Sequence, residues 1–90
     1  MENEKQKDRI EQILYEAFTQ IAESRPDIAV TYSPNSGCIF FRGLSGTEGR
    51  LEAKYTPINT IALYLTIKNF TVQTEQSNLK TFIDAIVKIK

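Results

Sequence analysis

A chain of 90 residues, 41% hydrophobic and 24% charged, has room for one domain and one core, and its composition is far from that of disordered chains. Eleven Lys and Arg balance eleven Asp and Glu. No whole-molecule field therefore draws the chain to nucleic acid, an anionic membrane or an acidic substrate, and any such attraction has to be local.

The first helix is expected from Glu4 to Ser24, where Ile10, Ile13, Leu14, Ala17, Phe18 and Ile21 recur at helical spacing and make one apolar stripe. Asn3 followed by Gln6 resembles a capping box at its start. Pro26 ends it, because the residue before a proline is pushed out of the α region. The period then changes to two. Ile28, Val30 and Tyr32 alternate with Ala29, Thr31 and Ser33, the pattern of a half-buried strand. Ser33-Pro34-Asn35-Ser36-Gly37 supplies a hairpin turn, and Cys38 to Arg42 the return strand, rich in β-branched and aromatic types.

The segment Gly43 to Gly49 holds three glycines and reads as a flexible hairpin loop. A phosphate cradle is excluded there, since no Gly-Lys-Ser/Thr or Gly-x-Gly-x-x-Gly is present and a strand follows rather than a helix. That strand is expected from Arg50 to Tyr55, with Leu51, Ala53 and Tyr55 on one face and Arg50, Glu52 and Lys54 on the other. Thr56-Pro57-Ile58-Asn59 reads as a turn. A fourth strand from Thr60 to Lys68 puts Ile61, Leu63, Leu65 and Ile67 opposite Ala62, Tyr64, Thr66 and Lys68. Phe70 to Gln73 either extends this strand past a bend or forms a short fifth one. The last helix is expected to begin near Thr74 to Ser77, with Leu79, Phe82, Ile83, Ile86 and Val87 at helical spacing and Lys88 and Lys90 complementing its dipole.

These elements imply one α+β domain over residues 1–90. It is a four-stranded antiparallel meander, five-stranded if Phe70 to Gln73 stands alone, with an N-terminal and a C-terminal helix packed on one face in the order αββββα. Its stability is expected to be modest for its size, which makes self-association a candidate source of support.

The chain has no histidine. That removes the usual general base near neutral pH and the commonest zinc ligand, and excludes Ser-His-Asp and Cys-His mechanisms within the chain. The carboxylates Asp27, Glu48, Glu52, Glu75 and Asp84 are spread over different elements with no paired spacing. The expectation is a non-enzymatic protein with no cofactor and no metal. Cys38 is the only cysteine and has no cation nearby before Arg42, so it is read as a small packing residue. A lone thiol without a signal peptide suits the cytoplasm, and no run approaches the roughly 20 apolar residues that cross a bilayer, so no membrane partner is expected.

The sheet face left uncovered by the helices carries the functional expectation. Arg50, Lys54, Tyr64, Thr66 and Lys68 point to it if the apolar set of strands three and four faces the helices. Strand two then adds either Ile39 and Phe41 or Cys38, Phe40 and Arg42 to the same face, so a large apolar side chain stays outside. The leading reading is a small protein-interaction module that engages a protein partner or a second copy of itself. Phe40, Arg42, Arg50, Lys54, Tyr64 and Lys68 are its contact residues, helped by the Gly43 to Gly49 loop. The alternative is single-stranded nucleic-acid binding, since aromatic and basic sheet surfaces stack bases and track phosphates.

The order of elements resembles that of double-stranded RNA-binding domains, which run αβββα. This chain has an extra strand and, in place of their Lys-rich start to the last helix, only Lys80. The stretch Val72-Gln73-Thr74-Glu75-Gln76-Ser77-Asn78-Leu79-Lys80 is similar to the strand-to-helix junction of a family of single-stranded-DNA-binding transcriptional coactivators. That family's basic strand residues have no clear match here. Small orphan domains of this kind also include inhibitors and regulators encoded by mobile elements, although no residue points to one.

Overall fold

The computed structural model describes the backbone of residues 2–90 and the side chains of residues 9–90. Helix α1 (Glu2–Ser24) precedes strands β1 (Ala29–Ser33), β2 (Cys38–Arg42), β3 (Glu48–Tyr55), β4 (Ile61–Ile67) and β5 (Phe70–Glu75). A single 3-10 turn (Gln76–Asn78) then leads into α2 (Leu79–Val87). The five strands form one antiparallel sheet in sequence order. Phe70 onward is thus a strand of its own, six residues long, and the meander is five-stranded.

Both helices pack on one side of this sheet. Leu14, Ala17 and Ile21 of α1 and Phe82, Ile83 and Ile86 of α2 join Ile39, Phe41, Leu51, Ala53, Leu63 and Leu65 of the strands in one core cluster. Leu14, Ile21, Ile39, Leu51, Leu63 and Ile86 are fully buried. The tightest packing therefore lies where the two helices meet β2, β3 and β4. Each such side chain is worth about 1.5–3 kcal/mol of burial.

The register of β2 resolves which aromatic turns inward. Phe41 pairs with Gly49 and Ile39 with Leu51 on the helix side, so Phe40, opposite Arg50, points away. The Phe41 ring lies over Gly49, where an added Cβ would come within 3.0 Å of ring carbons. Glycine is what lets the ring settle there. It also explains why β3 starts at Glu48 rather than at Arg50: Glu48 and Gly49 still pair with Arg42 and Phe41.

The loop between these strands is tied down rather than open. Gly43 N–H donates to Thr47 O and Gly46 N–H to Gly43 O, while the backbone N–H and hydroxyl of Ser45 both donate to the Lys90 carbonyl. A Cβ at Gly43 would collide with that same carbonyl. The flexible loop expected from three glycines is thus a fastener for the segment after α2.

Three other expectations are corrected. Helix α1 already runs from Glu2, so Asn3 and Gln6 stand inside it, and their side chains lie outside those described. Thr74 and Glu75 belong to β5, so the last helix starts later than Thr74 to Ser77 suggested. The carbonyls at and just beyond the end of α2 are met by Arg25 rather than by the lysines there: its guanidinium donates to Val87 O, the last residue of the helix, at 2.7 Å and to Ile89 O at 2.6 Å. Arg25 also pairs with Asp27 through two 2.9 Å bonds. The residue just before Pro26 therefore pins the end of α1 to the end of α2.

Candidate functional site

The outer sheet face is built by alternation. One row across the sheet runs Thr31, Phe40, Arg50, Thr66 and Thr71, and the next runs Ser33, Cys38, Glu52, Tyr64 and Gln73. A third holds Lys54, Ala62 and Glu75. Among the described residues no helix covers these rows, and Phe40 remains 43% exposed.

Of the six expected contact residues, the structure draws five into this surface. Phe40 and Arg50 are direct cross-strand partners. Lys54 Nζ stands 5.6 Å from the centre of the Tyr64 ring, a cation–π contact. Arg42 lies at the end of the same face, 3.5 Å from Glu48. Lys68 stands beyond the end of β4, in the turn to β5, where its N–H donates to Glu48 O at 3.1 Å.

Electrostatically the face is a set of local pairs. Glu52, only 16% exposed, receives Arg50 Nε at 2.6 Å on one side and faces Lys54 Nζ at 3.6 Å on the other. With the Arg42–Glu48 pair, three of the cations already sit against carboxylates. Glu75 adds a further anion opposite Ala62. Exposed pairs of this kind contribute about 0–1 kcal/mol to stability, so their main effect is to cancel the field that a polyanion would feel.

Cys38 is buried although it sits on the outer face. Its Sγ lies 3.3 Å from Ser36 O. Burial, and secondarily the Glu52 carboxylate, pushes its thiol above the usual range, so it stays protonated and packs as a small side chain. Beside Phe40 the small residues Ala29 and Thr31 leave a shallow depression of about 270 Å³. That is below the roughly 300–1,000 Å³ of typical small-molecule sites, and it suits a protruding side chain of a partner better than an enclosed ligand.

Sequence reasoning missed a second exposed apolar surface on the helix side. Phe70 pairs with Ile67 and Val72 with Leu65, so both face inward, yet they are 79% and 55% exposed. The helices cover the middle of the sheet and stop short of β5. A groove of about 620 Å³ results, lined by Leu65, Ile67, Phe70, Val72 and Ile89 among others. The signal was present in the apolar alternation Phe70, Val72, but only the width of the helix layer shows that no described residue covers it.

Among the described residues no helix is long and apolar enough to cross a membrane. Comparison with protein-family models, with curated proteins and with solved structures returns no match.

Proposed function

We propose that this chain is a non-enzymatic protein-interaction domain whose outer sheet face, centred on Phe40 and flanked by Tyr64, is the contact surface. The observation that supports this most is the pairing of charges around an exposed ring. Phe40 stands uncovered beside a shallow depression, and the cations of Arg42, Arg50 and Lys54 are held by Glu48 and Glu52. An aromatic anchor within a ring of balanced polar groups is how protein interfaces concentrate binding energy. A single-stranded nucleic acid needs cations free to replace condensed counterions, and that demand is poorly served by cations already bound to carboxylates.

The test is affinity capture from the native host with the wild-type chain and with Phe40→Asp, alongside titration of the purified protein with oligonucleotides at low and at physiological salt. A partner retained by the wild type and lost with Phe40→Asp, with no oligonucleotide binding, is the expected result. Salt-sensitive oligonucleotide binding that Arg50→Ala and Lys54→Ala weaken would replace this reading with the nucleic-acid one.

A further inference from the structure

We infer that the free edge of β5 is a self-pairing edge, along which two copies of the chain join β5 to β5 in antiparallel fashion across a two-fold axis at Val72. This surface is separate from the outer face. It rests on three observations.

The first is the state of the edge itself. Strand β5 ends the sheet. Lys68 N–H bonds to Glu48 on the β3 side, so alternation turns Ile67, Leu65 and Leu63 toward β5, and their partners Phe70, Val72 and Thr74 direct their backbone groups at β4. Thr71, Gln73 and Glu75 accordingly present their N–H and C=O groups to the open side. The second is that the usual edge protection is missing. From Phe70 to Thr74 there is no proline and no charge, whereas proteins blunt exposed edges with those devices. The opposite edge, β1, has five residues, is followed by Pro34 and is held to α1 by the Tyr32 hydroxyl donating to Glu11 O. The third is the apolar groove alongside, where Phe70 and Val72 lie open to solvent next to Ile67 and Ile89.

What selects a second copy over another extended peptide is self-complementarity. Antiparallel pairing centred on Val72 sets Val72 against Val72 of the second copy, Phe70 against its Thr74 and Thr71 against its Gln73. Side chains directly opposite share a face, so the Val72 pair and the two Phe70–Thr74 pairs fall on the helix side and both grooves close over the same seam. The same register sets Glu75 opposite Asn69 of the second copy, next to that copy's Lys68. One charge of each sign at the two ends of the strand thus becomes two symmetric attractions. Each copy's open amides are met by the other's in one step, as a two-fold interface requires.

The experiment is sedimentation of the full chain over concentrations from about 5 µM to about 1 mM, a span suited to an interface smaller than the standard 1,200–2,000 Å². The wild type is expected to form a dimer in this range. Val72→Lys sets two like charges across the axis, and Gln73→Pro removes an edge donor without touching the β4 ladder. Both are expected to sediment as monomers while keeping the wild-type circular dichroism. Glu75→Lys is expected to weaken the dimer at least tenfold, and Lys68→Glu combined with it to restore association. Should Val72→Lys or Gln73→Pro fail to fold, the exposed Glu75 pair of variants decides. A wild type that stays monomeric throughout overturns the inference. So does a dimer that survives folded Val72→Lys, or one abolished by Phe40→Asp instead, which would move the contact to the outer face.

Discussion

Arg25 links more of the molecule than its position suggests. Just after α1 it donates to the carbonyl of Val87, the last residue of α2, and to that of Ile89 beyond it, and holds Asp27 at the same time. Charge-assisted bonds of this kind are stronger than neutral ones and here satisfy carbonyls at a helix end. Arg25→Met is therefore expected to lower the urea midpoint, with amide exchange rising first at Ile86 to Ile89. The Arg25 hydrogen bond holds the Asp27 carboxyl below its ordinary range. A carboxyl depressed in the folded state contributes stability above its unfolded value of about 3.9, and that contribution disappears as pH falls through the lower folded value. Asp27→Asn is expected to flatten the acid limb of the stability curve by lowering stability near pH 7, while changing little at pH values below the folded one, as urea titrations at the two ends would show. Cys38 gives the opposite case. With its thiol raised by burial, iodoacetamide at pH 8 should label the native chain far more slowly than the urea-unfolded chain; equal rates would mean that Cys38 is exposed.

The elements show which parts of the fold are legible in sequence. The strict alternation of β3 and β4 and the helical spacing of α1 fixed these elements and their buried faces, because a one-residue slip would expose a whole apolar set. The turns were equally readable. Gly37 and Asn59 take the left-handed φ values of 64° and 65° that their residue types tolerate. The β4 to β5 turn was not readable, since Lys68, a residue with a Cβ, adopts a φ of 57° there. Asn69 is the one turn residue type there, and it did not separate a bend within one strand from a hairpin. Lys68→Gly is expected to raise stability by up to about 1 kcal/mol, seen as a higher thermal midpoint. Gly49→Ala should act in the other direction. The new Cβ would meet the Phe41 ring and the Thr66 carbonyl, at a cost of about 1–3 kcal/mol. The outer-face residues were legible for the same reason as the core, being the other half of the alternation. Arg25 and the β5 groove were not, because both depend on where α2 ends in space.

Taken as a whole, the molecule is a sheet clothed on one side, and its two sides serve opposite ends. The helix side gathers almost all of the buried apolar surface, while the outer side is tiled with charge pairs around Phe40. A domain of this length is expected to have only about 5–13 kcal/mol of net stability, so the location of each apolar side chain matters. Adjacent residues of β2 make the sharpest comparison. Ile39 is fully buried against the helices, and Phe40, its neighbour in sequence, is 43% exposed on the reverse side. Ile39→Ala should remove about 2–5 kcal/mol, a large share of the total. Phe40→Ala, although it deletes a larger side chain, should cost less than about 1 kcal/mol because its ring leaves no internal cavity. Urea midpoints of the two variants, measured in dilute solution, read this difference directly. A Phe40→Ala loss as large as that of Ile39→Ala would mean that the outer ring is part of the folded core, and Phe40 could no longer serve as the anchor of a contact surface.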